Sequence, residues 1–283
     1  MNTIGATVIA DSISTRGHRL TTVLARYPKW LQAEINTHRM ISKSAASSRA
    51  IPISKVISRV DDDPWVPTQW FRNTKGMQAR APLGRDKVKA AIMEWHDAAD
   101  LARQSAETLM ELGVYKGHVN RVLEPFMWTE GLLTATDWEN FTALRANEAA
   151  QPEFQELAFA IIDALNDSDP VTLRPGQWHL PFGDKDLPEG KVEILRMVVV
   201  TRCARQSYMN FNGTHDIAED IRLFNQLMTE GHWGPFEHPA VVVDSDEYIG
   251  NFQGWMQFRK FFRGENRTDS RLIKKEPRNE VQV

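Results

Sequence analysis

The sequence predicts an α+β fold. Short β-branched runs stand at residues 4–9 (IGATVI) and 20–24 (LTTVL), and the turn-prone segment Ser12–His18 joins them as a strand pair. A long amphipathic pattern covers Arg85–Leu112, and a further strand candidate, Ala240–Val243, follows a helix pattern at Asp216–Glu230.

From Lys29 the spacing of Trp30, Leu31 and Ile35 is helical, and this helix leads into the stretch Asn36–Ile51. Pro52, Pro64 and Pro67 then mark a long irregular segment that carries Trp65, Trp70 and Phe71. Asp61, Asp62 and Asp63 read as an exposed acidic turn, because no spaced His or Glu supports a metal site. In Arg85–Leu112, Val88, Ile92, Trp95, Leu101, Leu109 and Leu112 lie mostly along one face, and Gly113 is a stop. Such a helix spans about 40 Å. Shorter helices are expected at Trp138–Leu144 and Pro152–Leu165.

Residues 166–190 hold four prolines and three glycines with little periodicity, which predicts a long loop joining segments 1–165 and 191–283 of one domain. Val192–Arg202 is apolar and β-branched toward its end. In Asp216–Glu230, the spacing predicts that Ile217, Ile221, Phe224, Leu227 and Met228 point inward. An aromatic-rich run, Phe252–Phe262, precedes a solvated tail, KKEPRNEVQV.

Composition narrows the classes. The chain is 283 residues long with 42% apolar and 25% charged residues, ordinary for a soluble globular protein with ample core. A net charge of −3 gives no general case for nucleic-acid or membrane binding. Cys203 is the only cysteine, so an internal disulfide and a cysteine-rich metal site are excluded. No signal-like N-terminus and no apolar run near about 18 residues is present, so a cytoplasmic location is expected. The nine tryptophans suit ring stacking and subunit contacts.

The stretch Asn36–Ile51 (NTHRMISKSAASSRAI) concentrates the chemistry. It combines His38, Arg39, Ser42, Ser44, Ser47, Ser48 and Arg49 without a single carboxylate. Guanidinium groups pair bidentately with phosphate or carboxylate, and serine hydroxyls suit phosphate oxygens. A polar helix end followed by a serine-rich loop would look the same by composition.

The order of these residues resembles the signature of the flavin-dependent thymidylate synthases, Arg-His-Arg-x-x-Ser-x-x-x-x-Ser-x-Arg. His38, Arg39, Ser42, Ser47 and Arg49 match, and Thr37 replaces the first Arg. Further stretches are similar to the same family. Arg202–Tyr208 (RCARQSY) resembles its Ala-Arg-x-Ser-Tyr element and points to Ser207. Glu230–His238 (EGHWGPFEH) resembles its Gly-His-x-x-Pro-Phe-Glu-His element and points to His232 and Glu237. Arg121–Pro125 (RVLEP) is similar to Ala-Arg-x-x-Leu-Pro with an extra Glu124. Thr134–Gln151 matches a further element at Asn140, Phe141, Arg145 and Gln151.

The elements stand in an order that looks circularly permuted, with the joining segment near 166–190. The resemblance implies a mixed or antiparallel sheet flanked by long helices. It implies C5 methylation of a pyrimidine deoxynucleotide of the dUMP-to-dTMP type, with FAD, methylenetetrahydrofolate and NAD(P)H. It also implies a homo-oligomer, dimer or tetramer, with shared sites. Residue by residue, Arg145 would be catalytic. Glu34, Ser47, Ser48, Arg49, Arg121 and Glu265 would meet the nucleotide. His38, Arg39, Asn140, Ser207, His232 and Glu237 would meet the flavin. No metal and no nucleic acid is implied.

Three departures bear on the substrate. Thr37 removes an Arg, Glu34 replaces an expected Gln, and Ala45 removes a nucleotide-contacting Glu. The family spacing from Glu-His to His-Arg recurs between His238 and Phe258-Arg259, with Glu265 six residues beyond Arg259. This suggests a duplicated, divided motif. The alternatives are a related enzyme with another nucleotide or one-carbon outcome, and a non-catalytic flavin- or nucleotide-binding relative. Cys203, beside Arg202 and Arg205, reads as a buried inert thiol.

Overall fold

The computed structural model describes residues 3–76, 78, 81–183, 192–207, 213–214, 216–262 and 265. Residues 184–190 of the expected loop, Tyr208 and the C-terminal tail lie outside the described residues.

Strands β1 (Gly5–Ser14) and β2 (Arg19–Pro28) form the expected antiparallel hairpin, longer than the β-branched runs alone. Its turn passes through Gly17 at φ 90°, a conformation that a side chain resists. After β2 come a 3-10 turn (Lys29–Leu31) and the short helix α1 (Gln32–Ile35), then strand β3 (Ser42–Ala45). Strand β4 (Trp128–Ala135) pairs antiparallel with both β2 and β3, and β5 (Val171–Leu173) runs parallel to β1. The sheet is therefore mixed, in the order β3-β4-β2-β1-β5, with β3 at one edge.

Gly131 in β4 is forced by packing. A Cβ there would stand 2.2 Å from the Tyr27 hydroxyl, so only glycine lets that buried ring lie across the strand.

Helix α6 (Pro152–Asn166) covers one face of the sheet, where Phe154, Leu157 and Ile161 meet Val23, Tyr27, Leu133 and Phe141. Helix α7 (Val192–Arg205) covers the other, with Val199 and Cys203 against Leu132 and Phe182. The β-branched run in α7 is thus helical: it is buried on two sides, since Val200 also packs on Phe224 of α8 (Ile217–Glu230). Tertiary burial outweighs the small helix penalty of valine.

The proline-marked segment is not wholly irregular. Pro52 precedes helix α2 (Ile53–Asp62), whose Val56 and Val60 bury one turn apart against α3 (Arg85–Glu111) and α4 (Lys116–Leu123). The inward face of α3 is Trp95, Ala99, Ala102, Ala106 and Leu109, and the small residues admit the neighbouring helices closely. Leu101 and Leu112, expected inside, are 63% and 73% exposed because they fall off this stripe. The acidic turn is neutralised piecewise: Asp61 pairs with Arg103 at 3.2 Å and Asp63 with Arg26 at 3.0 Å.

Trp30, Trp65, Trp95 and Phe126 stack edge to face at 5.3–5.5 Å, so several tryptophans serve internal packing. Short helix α5 (Glu139–Arg145) is held by buried Phe141, while Leu144 faces solvent. A second, three-stranded sheet pairs β6 (Trp178–His179), β7 (Ala240–Val242) and β10 (Trp255–Gln257). Strands β8 (Tyr248–Ile249) and β9 (Phe252–Gln253) form a small hairpin before β10. Among the described residues no helix is long and apolar enough to cross a membrane.

Candidate functional site

Edge strand β3 is where the motif residues meet. On one side, His38 is buried between the rings of Phe141 and Phe154, with centroids 5.0 and 6.0 Å away. Arg145, in the last turn of α5, donates Nε to His38 Nε2 at 3.0 Å and Nη1 to Glu34 Oε2 at 3.2 Å. Its guanidinium lies over the Phe154 ring at 4.2 Å. Burial, then the charges of Arg145 and Lys43, lower the His38 pKa to about 4. The imidazole is therefore neutral, and accepting from Arg145 at Nε2 places its proton on Nδ1. Glu34, the carboxylate that departs from the family pattern, is compensated by Arg145.

Lys43, to which motif reading gave no role, sits inside the same stretch. Its Nζ donates to the His38 carbonyl. Burial lowers its pKa, the charge of Glu237 opposes that and the charge of Arg39 adds to it. Glu237 ends the 3-10 turn Gly234–Glu237 and accepts from Arg259. Arg259 also donates to Glu265 at 2.8 Å, and Lys260 donates to Glu265 at 3.0 Å. Burial works against ionisation of Glu265, but the hydrogen bonds from Lys260 and Arg259 outweigh it and hold its pKa below the usual range. The second half-motif is thus tied through Arg259 to Glu237, whose neighbour His238 meets Ser44 of the first at 2.9 Å.

The other face of β3 is polar and buried. Ser42 Oγ accepts from Gln257 Nε2 at 2.8 Å and Asn251 Nδ2 at 3.1 Å. Ser44 Oγ lies 2.9 Å from His238 Nε2, and the Ser44 carbonyl accepts from Gln206 Nε2 at 2.6 Å. Gln206 adopts φ 57°, rare for a side-chain-bearing residue, and Ser207 follows it at the end of α7.

Beyond β3, Ser47 caps a 3-10 turn by accepting from the Arg49 amide at 3.4 Å. Ser48 is buried, donates to Glu124, and has its carbonyl held by Asn120 Nδ2 at 2.7 Å. Arg121 lies 3.7 Å from Glu124, so helix α4 brings Arg121 to the serine turn, together with the additional carboxylate. Lys29 Nζ closes this edge on the Ala46 carbonyl at 3.0 Å. Arg39 and Arg49 are exposed and form no ion pair with the described residues.

Some assigned residues stand apart. Asn140 is exposed on the first turn of α5. His232 is 62% exposed beside Glu230, and its amide closes the end of α8 on the Leu227 carbonyl at 2.9 Å. Gly231 before it is left-handed, φ 76°, so this part of the Gly-His element terminates a helix. Cys203 is buried and desolvation raises its thiol pKa well above the usual value, which leaves it protonated.

No family model and no curated protein matches this chain. A solved structure to which it is similar is the UMP/dUMP methylase PolB from Streptomyces cacaoi, bound with 5-Br UMP. The two share 15% identity with a TM-score of 0.48, over 58% of this chain and 89% of that one.

Proposed function

We propose that this chain is a flavin-dependent C5 methyltransferase of a pyrimidine deoxynucleotide, of the dUMP-to-dTMP type, with methylenetetrahydrofolate as carbon donor and NAD(P)H as reductant. One observation carries the reading. Motif stretches far apart in sequence meet around edge strand β3: Arg145 bonds Glu34 and His38 just ahead of it, His238 meets Ser44 within it, and Arg259 joins Glu265 to Glu237, the neighbour of His238. That convergence is what a circularly permuted chain needs in order to rebuild one site.

The donor set fits a flavin dinucleotide. Arg39 is unneutralised by the described residues, Lys43 is desolvated, and His38 is neutral between aromatic rings. Cations suit a diphosphate, and a neutral imidazole edge suits an uncharged ring system. His38, Arg39, Ser207 and Glu237 would hold the cofactor on this reading, with Asn140 and His232 at its periphery. When bound, the flavin supplies the hydride chemistry.

The protein's share is to orient and polarise. Arg145, fixed by His38, Glu34 and Phe154, would stabilise charge developing on the pyrimidine carbonyls. Ser47, Arg49 and Arg121 would take the nucleotide phosphate, with Ser48 setting the turn and Glu265 on the second half-motif. Thr37 and Ala45 favour a second reading, a related enzyme acting on another nucleotide. The assembly proposed is a homo-oligomer with shared sites.

The test is direct. Purified protein incubated with FAD should retain a yellow chromophore through gel filtration. With dUMP, methylenetetrahydrofolate and NADPH it should then form dTMP. A protein that retains no flavin overturns the proposal, and flavin binding without turnover on dUMP moves it to the second reading.

A further inference from the structure

A buried hydrogen-bonded chain crosses the main sheet and ends at the site. Ser12 Oγ lies 2.9 Å from His179 Nδ1, and His179 Nε2 lies 2.8 Å from Thr22 Oγ1. Thr22 Oγ1 meets Thr134 Oγ1 at 2.8 Å, and Thr134 Oγ1 meets His238 Nδ1 at 2.8 Å. His238 Nε2 then meets Ser44 Oγ at 2.9 Å. The hydroxyls come from β1, β2, β4 and β3, four neighbouring strands, and each imidazole bridges two of them. Ser12, His179, Thr22, Thr134 and His238 are all at least nine-tenths buried, whereas Ser44 is half-buried.

Such a chain has only two good proton arrangements. A hydroxyl donates one proton, and a neutral imidazole has one N–H and one acceptor nitrogen. If every group donates toward Ser44, both histidines carry Nε2–H and the Ser44 proton is free to point outward. If every group donates away from Ser44, both carry Nδ1–H and Ser44 offers only lone pairs. Opposite tautomers leave the Thr22–Thr134 contact without a proton, or strand one proton in a buried place, and either is costly. Burial, which lowers the pKa of both imidazoles, keeps them neutral and within this scheme.

We propose that Ser44 is a further ligand-contacting residue, the outer end of a proton-polarity relay. In this relay a phosphate oxygen accepting from Ser44 sets both His238 and the distant His179 to the Nε2–H tautomer. A phosphate only accepts, so it selects one polarity. Lys43, the neighbour of Ser44 in β3, points to the opposite face of the strand, so the relay itself, and no adjacent cation, presents the Ser44 proton. The phosphate class rests on the functional reading above; the coupling of the two tautomers does not. His179 is a positioning residue here, acting through Thr22, Thr134 and His238.

Nitrogen-15 NMR of histidine-labelled protein reads each tautomer. Spectra are taken without ligand and with inorganic phosphate, dUMP or FAD in separate arms, which distinguishes the phosphate source. Binding is followed independently by tryptophan fluorescence. The expected result is matched tautomers in every state, with both histidines at Nε2–H in at least one ligand arm. Thr22→Val should leave His238 responsive and His179 unresponsive, and Ser44→Ala, at the half-buried end, should silence both. Opposite tautomers in the ligand-free protein overturn the relay, as does a His179 that still follows in Thr22→Val. If dUMP or FAD binds and both imidazoles carry Nδ1–H in the complex, the Ser44 contact is wrong and the functional reading stands. If none of the three binds, the functional reading falls and the Ser44 contact falls with it, while matched ligand-free tautomers still support the coupling.

Discussion

Arg145 is held on three sides, by His38, by Glu34 and by the face of Phe154. As a structural ion pair with partly exposed Glu34 it would contribute at most about 1 kcal/mol. As a donor to a reacting base it would matter far more, because preorganised charge acts where the transition state develops it. Arg145→Ala is therefore expected to leave flavin content intact and to lower turnover by about a hundredfold or more. Near-normal turnover on the nucleotide substrate would leave only the salt bridge. Arg49 is exposed and unpaired among the described residues, so Arg49→Ala should act differently. It should raise the nucleotide KM with little change in kcat, and the defect should shrink as salt rises. A pure kcat loss would place Arg49 elsewhere.

At the scale of elements, α8 presents the Gly-His-x-x-Pro-Phe-Glu-His segment to β3, so its ends have to be well defined. The Asp216 side chain accepts from the Ala218 amide at 2.9 Å and the Glu219 amide at 3.4 Å. Gly231 and His232 close the other end on Met228 and Leu227. Asp216→Ala should cost about 1 kcal/mol, and Asp216→Asn much less. Equal denaturant midpoints for the wild type and Asp216→Ala would show that the cap contributes nothing.

For the whole molecule, three neutral histidines make stability depend on acid. Burial lowers the pKa of His38 to about 4 and those of His179 and His238 to about 3, while in the unfolded chain each lies near 6.5. Below about pH 6.5 the unfolded state takes up protons that the folded state refuses. Stability is thus full above that pH and falls as pH drops toward 4 and then 3, by several kcal/mol in total as an order of magnitude. Urea midpoints measured across that range should decline with acid, and His179→Gln should shallow the slope. A flat profile between about pH 7 and pH 5 would contradict neutral burial of these rings.

What the sequence by itself determined is local. The hairpin β1–β2, the long helix α3, the capped helix α8 and the serine-arginine stretch announce themselves through periodicity, turn residues and caps, which depend on neighbours a few residues away. Only the tertiary structure decided the rest. Strand β4 is interrupted in sequence by Glu130 and Gly131, yet it lies between β2 and β3 and places Thr134 in the relay. Valine-rich α7 is helical because it is buried on two faces. Helix α2 hides behind Pro52, and the charge that offsets the burial of Lys43 comes from Glu237, nearly two hundred residues on. Ser12, Thr22 and His179 belong to no motif, and their significance exists only once sheet order puts them in line. Hydrogen bonds between residues more than a hundred positions apart leave no period in the chain, so folding alone reveals them.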